Sequence, residues 1–396
     1  MTNQDSALRK SFKLDEFFLN LNGLLPGEKY KLLYSFYSFG MLLVYIIMIP
    51  ILGYVEIFLA EPSRRVNMVD KSFVYLEIFV SVFKHWPFIT KPARTKRLLN
   101  RWNESIFNTA VEIDEHIVQD SIRYRVFVVQ IYFLSGVISV SVLLISSIFS
   151  FNDRELKLPI WLPDQVSNNT FFYVIANIYI ITGYTHAFFG HASTDSLLQT
   201  YLLYCATQLR LIKFKLKNIH KYFKKVATSE DSHKTTIEGL PQKKIYDQIV
   251  QCIKVYEAVN GYVQEMENMY SVGIFMQLIV VSLIFSICAY NLTNVSSFLY
   301  AIYILSFTIP MVITMYAFCY TGALLIEEST SIADAVFKSR WYTFDNKNKK
   351  LLLTFIERTK KPIKLKAGKL VDLSLETFVI IMNRSYSLLA VLKNVY

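Results

Sequence analysis

Apolar residues in this chain gather into long unbroken runs rather than the three- and four-residue stripes of a soluble helical protein. A run of about 20 apolar residues makes a helix long enough to cross the hydrocarbon core of a bilayer. Val126 to Ser150, Asn268 to Tyr290 and Phe298 to Ile326 contain no charged residue at all. Leu32 to Ile57 carries only Glu56, and Phe171 to His186 is the apolar heart of a segment that runs on towards Cys205. Two runs are diluted by charge: Ser72 to Thr90 holds Glu77 and Lys84, and Leu370 to Leu392 holds Asp372, Glu376 and Arg384. The pattern predicts an all-α bundle of seven membrane spans at 32–57, 72–90, 126–150, 170–204, 268–290, 298–326 and 370–392. Together they form one domain over 1–396.

The segments between spans have helical periodicity of their own. Leu202, Leu209, Leu216 and Phe223 recur at sevenfold spacing amid lysines, a polar break follows over 226–242, and "IYDQIVQCIKVYEAVNGYVQEMENMY" resumes the helical period into the fifth span. Asp345 is placed to cap "NKNKKLLLTFIERTKK", whose Leu351, Leu352, Phe355 and Ile356 form one apolar stripe. Pro362 and the Ala367-Gly368 pair then break the chain before the last span. Residues 205–267 and 327–369 therefore extend the spans on one side. They form either amphipathic helices on the lipid surface or an anchor where subunits meet. On the opposite side, residues 151–169 pack two prolines and a tryptophan into the one long loop, a candidate cap over the bundle.

Charge adds the orientation. Lys and Arg resist translocation. Five lie before residue 32, eight from Lys84 to Arg125, eleven from Arg210 to Lys254 and eleven from Lys338 to Lys369, against five in the alternate loops. This predicts a cytoplasmic N-terminus and an extracellular C-terminus. The net charge of +11 is then a basic face against anionic lipid and calls for no nucleic-acid partner. Sequons at Asn168, Asn291 and Asn294 fall on the external side, close to span ends. Residues 1 to 30 lack an apolar core followed by a small-residue cleavage site, so the first span is expected to act as its own signal anchor. The four cysteines suggest no disulfide framework.

Composition excludes catalysis as well. The chain is 53% hydrophobic, and it has no Gly-rich phosphate loop, no Gly-x-Ser-x-Gly and no His-Glu-x-x-His. No enzyme activity and no cofactor are expected. His186, His191 and Asp195 share one span, but a spacing of five puts the two histidines on different helix faces, so no metal site is expected.

"FCYTGALLIEESTSIADAVFKSRWY", then "KKLLLTFIERTKKPIKLKAGKLVDLSLETF" and "SYSLLAVL", close the chain. This tract of about 75 residues resembles the C-terminal signature of insect odorant receptors. Its parts are a small-residue patch at the base of span six, paired acids, Trp-Tyr, a basic helix, then Ala-Gly and Ser-Leu before the final span. Sister gustatory receptors end on Thr-Tyr followed by Gln-Phe, whereas Tyr386 here follows Ser385. The family's shared co-receptor has a much larger insertion between spans four and five, so this chain resembles a ligand-tuning subunit. G-protein-coupled receptors are disfavoured by the inverted orientation and the lack of any Asn-Pro dipeptide.

The resemblance implies a ligand-gated, non-selective cation channel in the plasma membrane of olfactory sensory neurons, assembled as a hetero-tetramer with co-receptor subunits. It implies a cytoplasmic anchor, for which Glu327, Glu328, Trp341, Leu352 and Phe355 are candidates. The two glutamates either face the basic segment Lys349 to Lys361 or form a solvated acidic cap. Matching "SYSLLAVLK" to the family's end puts Leu389 at a hydrophobic gate, with Tyr386 and Lys393 on the same face. Lys393 either stands at the pore mouth or snorkels to the interface.

A small neutral volatile is expected in the outer half of spans two to six. The candidates are Phe73 and Glu77 on span two, and Ser139, Leu143 and Ser147 on span three. Phe172, Ala176, Tyr179 and Ile180 follow on span four, and Tyr300, Tyr303 and Phe307 on span six. For any single aromatic among them core packing is the commoner role, and Glu77 either recruits an amine or, the commoner role, makes an interhelical hydrogen bond. A homomeric gustatory-type channel and a secondary transporter are the alternatives, and the transporter would call for an internal repeat, which the chain lacks.

Overall fold

The structure is a computed structural model describing residues 7–25, 31–60, 71–107, 115–151, 156, 158–162, 169–219, 242–294 and 298–395. After a single helical turn at Ala7–Lys10, twelve α-helices and one small hairpin organise these residues. Helix α1 (Lys13–Leu21) is amphipathic and precedes the first span. That span begins as α2 (Lys31–Met41), widens to a π-turn over Leu42–Ile47 and continues as α3 (Met48–Leu59). Pro50 follows the wide turn and has no N–H to return to Ile46.

Next come α4 (Ser72–Thr90), α5 (Pro92–Asn100), α6 (Glu115–Phe149), α7 (Thr170–Lys217), α8 (Gln242–Asn294) and α9 (Phe298–Thr330). The short α10 (Ile332–Phe337), α11 (Asn346–Thr359) and α12 (Leu375–Val395) complete the set. Between the last two, β1 (Lys366–Ala367) pairs antiparallel with β2 (Val371–Asp372).

Five of these rods are long and apolar enough to cross a membrane: Leu32–Leu59, Glu115–Phe149, Thr170–Lys217, Gln242–Thr293 and Tyr300–Phe337. Helices α4 and α12, of 19 and 21 residues, occupy the two charge-diluted runs. At 1.5 Å per residue, α7 with 48 residues and α8 with 53 are each more than twice as long as a bilayer core is thick. The expected boundary at residue 204 is therefore no break in structure. Leu202, Leu209 and Leu216 lie on the buried side of one continuous helix. Phe223 and most of the polar break at 226–242 lie outside the described residues, as do Arg64, Arg65 and Asn168.

The long helices build the core around α8, which packs on α4, α7 and α12, while α7 packs on α6 and α9. Phe58, Phe127, Ile148, Phe171 and Val272 point outward from the rods. An apolar exterior of this kind needs hydrocarbon as its solvent. Of the loop 151–169, Leu158 and Ile160 are buried, Trp161 N–H donates to the Leu52 carbonyl at 3.0 Å, and Tyr75 Oη donates to the Pro159 carbonyl. This stretch folds back over α3 and α4. Residues 152–155, 157 and 163–168 lie outside the described residues.

At the other end, the Asp345 carboxylate accepts from Asn348 N–H at 2.8 Å and caps α11. Leu352, Phe355 and Ile356 are buried, and the Phe355 ring meets Tyr256 of α8 edge-on at 5.4 Å. The stripe thus packs on the extension of α8. Two glycines close this end. Gly368 turns the hairpin at φ 59°, and its N–H donates to the Ser271 carbonyl at 2.8 Å. Gly322 lets α9 touch the backbone after the hairpin, since a Cβ there would collide with the Leu373 carbonyl oxygen.

Candidate ligand cavity

Helical spacing brings charge together inside the bundle. Glu77 and Lys84 are two turns apart on α4, and His191 and Asp195 one turn apart on α7, so each pair shares a face. Where the helices pack, Lys84 pairs with Asp195 and donates to His191 Nδ1 at 2.9 Å. An ammonium group only donates, so Nδ1 is the unprotonated nitrogen. The ring proton sits on Nε2, which donates to the Glu77 carbonyl oxygen at 3.0 Å. The Glu77 carboxylate lies 3.5 Å from Nδ1 and accepts a long bond, 3.4 Å, from Gln277 Nε2 of α8. Ions this deep in an apolar bundle survive only when paired or hydrogen-bonded.

This network forms part of the wall of a cavity of about 90 Å³ between α4, α6, α7, α8 and α9. One water needs roughly 10–15 Å³ on the same measure, so the space suits a small organic molecule. Apolar wall comes from Val74, Ile78, Ala187, Phe188, Phe307 and Met311. Tyr132, Ser135, Ser139, Tyr184 and Thr314 bring hydroxyls. A second lobe of about 30 Å³ shares Asp195, Gln277, Met311 and Thr314 and also touches Lys84, which puts the Lys84–Asp195 pair between the two. Pro310 has no N–H for the Ser306 carbonyl, and Ser139 Oγ of α6 donates to that carbonyl at 2.8 Å instead. Beneath it, Tyr132 Oη donates to Gln199 Oε1 at 2.7 Å, and Gln199 Nε2 donates to the Thr314 carbonyl at 3.3 Å. These tethers hold α6, α7 and α9 in register.

Three of the expected ligand residues, Glu77, Ser139 and Phe307, lie on the cavity wall. Phe73 is buried behind them with its ring 4.9 Å from Phe307 and 6.2 Å from Tyr303, and Tyr300 stacks on Tyr303 at 6.3 Å. Leu143, Ser147, Ala176 and Ile180 are buried away from the cavity wall. Tyr179 faces the first span: its hydroxyl donates to the Val44 carbonyl and its ring stacks on Tyr45 at 5.8 Å. Phe172 is 42% exposed on the apolar exterior. On α7 and α9 the cavity centres two to three turns further along the chain than most of the candidates named for those spans, and on α6 about two turns earlier.

Lys84, His191, Asp195 and Gln277 are the cavity residues that pattern reading missed. Their signal is present in the sequence, because each is a polar or ionisable group inside an apolar run. His186 lies apart from the group, with its ring 5.4 Å from Tyr45. All four cysteines are buried.

On α12, Tyr386 is 73% exposed, Leu389 half-buried and Lys393 exposed. At the extension end, Glu328 is buried and pairs with Arg210 Nε at 3.0 Å and with Lys213 of α7. The expected basic segment 349–361 does not supply these partners, because α7 runs on far enough to do so first. Glu327 is exposed, Trp341 is half-buried with its ring 6.4 Å from Phe337, and Leu352 and Phe355 are core.

A family model described as 7tm odorant receptor matches residues 66–386. Odorant receptor 2a of Drosophila melanogaster is 25% identical over 249 residues, 61% of this chain and 60% of that protein. Odorant receptor Or1 of Anopheles gambiae is 21% identical over 345 residues, 83% and 81% of the two chains. The match to the Drosophila relative thus spans about three fifths of that protein's length. The solved structure of the olfactory receptor OR5 from Machilis hrabei in complex with eugenol superposes with a TM-score of 0.80 at 13% identity, covering 98% of this chain and 99% of that one. That likeness shows the same seven-span helical fold. Bundle, terminal signature and family match converge, and the chain belongs to the 7tm odorant receptor family.

Proposed function

We propose that the chain is a ligand-tuning subunit of an odorant-gated cation channel. A small volatile would bind in the cavity between α4, α6, α7, α8 and α9. The carrying observation is that this cavity is mostly apolar, with a few convergent polar groups, the usual form of a small-molecule site. A family relative of the same fold was solved with eugenol. The open pore would be lined by α12, with Leu389 as gate and Tyr386 and Lys393 on the same face. The exposure of Tyr386 in the single chain suits a side chain meant for a pore or a neighbouring subunit. Co-receptor subunits in a hetero-tetramer would complete the ring, and the extended ends of α7, α8 and α9 with α11 would form the anchor.

Coupling has a physical route. The cavity-lining helices α8 and α9 also carry α12: Ser286 Oγ donates to the Ser385 carbonyl at 3.0 Å, and Tyr316 meets Phe378 edge-on at 5.6 Å. A ligand that fits better when α9 shifts against α8 would favour one α12 position over the other, and only such differential affinity can gate.

The test is whole-cell current against a panel of volatiles, with this chain alone and with an insect co-receptor. Odour-evoked cation current only from the pair is the expected result. Current from the chain alone would replace this reading with a homomeric channel. Substrate uptake without current would replace it with a transporter.

A further inference from the structure

We infer that the odorant taken by this cavity carries a hydrogen-bond donor, a hydroxyl or amino group, which it gives to Glu77. The inference rests on the reading of the cavity as an odorant site and names the class of odorant. Two buried oxygens of cavity-lining residues, Glu77 Oε2 and Gln277 Oε1, have no donor. With Glu77 ionised the amide orientation follows, since Gln277 then turns its N–H toward Oε1, which accepts. Its own carbonyl oxygen is then left unpaired.

Donors on the wall are already committed. Lys84 is held by Asp195 and His191, and His191 gives its Nε2–H to the Glu77 carbonyl. Tyr132 donates to Gln199, Ser135 to the Tyr132 carbonyl, Ser139 to the Ser306 carbonyl, Thr314 Oγ1 to the Pro310 carbonyl, and the Tyr184 hydroxyl is hydrogen-bonded to Ser139. The cavity therefore offers its occupant apolar surface and acceptors. An ester, ketone or ether leaves both buried oxygens unpaired, whereas an alcohol, phenol or amine satisfies at least one. A buried polar group left without its partner is the strongest discriminator a small site has. The charge count agrees: two carboxylates, Glu77 and Asp195, face one lysine and a neutral histidine. A ligand ammonium group fits that balance as well as a hydroxyl does.

The test is direct binding to the purified full-length chain in lipid nanodiscs, read by ligand-induced thermal shift. The probes are 1-hexanol, hexylamine, the isosteric methyl pentyl ether and heptane. The expected result is that 1-hexanol and hexylamine bind about tenfold or more tightly than the ether, the size of a hydrogen bond to a charged group. In Glu77→Gln that advantage should shrink to about threefold or less, with ether binding kept. The wild-type comparison decides even if the variant is unstable. Equal or tighter binding of the ether to the wild type overturns the inference and leaves the cavity an odorant site. An undiminished donor preference in a folded Glu77→Gln overturns the role of Glu77. Binding of none of the four overturns the odorant reading of the cavity, and this inference with it.

Discussion

Asp15 of α1 and Arg125 of α6 form an ion pair that is almost fully shut off from solvent, at 0% and 5% exposure. Ser196 of α7 donates to the second Asp15 oxygen at 2.7 Å, and Arg125 Nε donates to Thr200 Oγ1 at 3.1 Å. The Arg125 guanidinium also sits over the Phe12 ring at 5.5 Å. The N-terminal helix is thus bolted to two of the rods that form the cavity.

Asp15→Asn leaves Arg125 buried without a counter-charge, a loss of about 3–5 kcal/mol. The expected outcome is a large fall in the unfolding midpoint and in surface expression, read by fluorescence-detected size exclusion. Asp15→Leu with Arg125→Met removes both charges and should recover most of the loss. A midpoint unchanged in Asp15→Asn would show that the pair is not closed in the membrane.

Lys84 carries the same logic into the cavity. Lys84→Met strands Asp195 among apolar side chains and should cost about 3–5 kcal/mol. Lys84→Met with Asp195→Leu should restore surface expression while altering ligand response, because the wall between the two lobes has lost its charged pair. Restoration of expression with an unaltered dose–response would separate the pair from ligand recognition.

Gly322 sits where α9 meets the turn after the hairpin, and a methyl group there has no room against a backbone carbonyl that is itself fixed. Gly322→Ala should cost about 1–3 kcal/mol by overpacking and loosen α9 from α12. Surface labelling and unfolding midpoint check it. Gly40 and Gly261, where a Cβ would meet nothing, are matched controls expected to tolerate alanine.

Glu328 joins α9 to α7 through Arg210 and Lys213. Glu328→Lys puts three cations together and should abolish surface expression. Lys213→Glu in that background should recover part of it. Arg210 is nearly half exposed, so its share of the pairing is the smaller one. Recovery absent from the double variant would mean that this end of the bundle is held by apolar packing alone.

The fold was legible because runs of apolar residues have one use at that length, and the cap at Asp345 and the break at Gly368 follow from local chemistry. The span boundaries were not, since α7 and α8 cross from hydrocarbon to water without interruption, and helix propensity does not register that change of solvent. The candidate site was legible only in a small part. Glu77, Ser139 and Phe307 follow from tracing helix faces. The partnership of Lys84 with Asp195 depends on how α4 crosses α7, a tertiary fact that makes a charge look like a flaw in one run and a histidine–aspartate pair look idle in another. Glu328 shows the same limit, because its partner was sought in the segment richest in lysine while the helix beside it already supplied two cations.

Ser139 and Pro310 give the most discriminating test of how the cavity is built. Proline at 310 removes the N–H that would close the helix onto Ser306, and the Ser139 hydroxyl from α6 supplies a donor instead. Ser139→Ala should therefore leave a carbonyl short of its donor and cost about 1–2 kcal/mol. Pro310→Ala gives the backbone its own donor, so Ser139→Ala in that background should cost less than about 0.5 kcal/mol. The difference between the two backgrounds is the coupling energy, measurable as unfolding midpoints of the four proteins. Equal costs in both would mean that the hydroxyl does not replace the missing backbone bond. Because the tether fixes α9 against α6 beside Phe307, its loss should also flatten the dose–response to volatiles at unchanged surface density, and restoring the backbone donor with Pro310→Ala should sharpen it again.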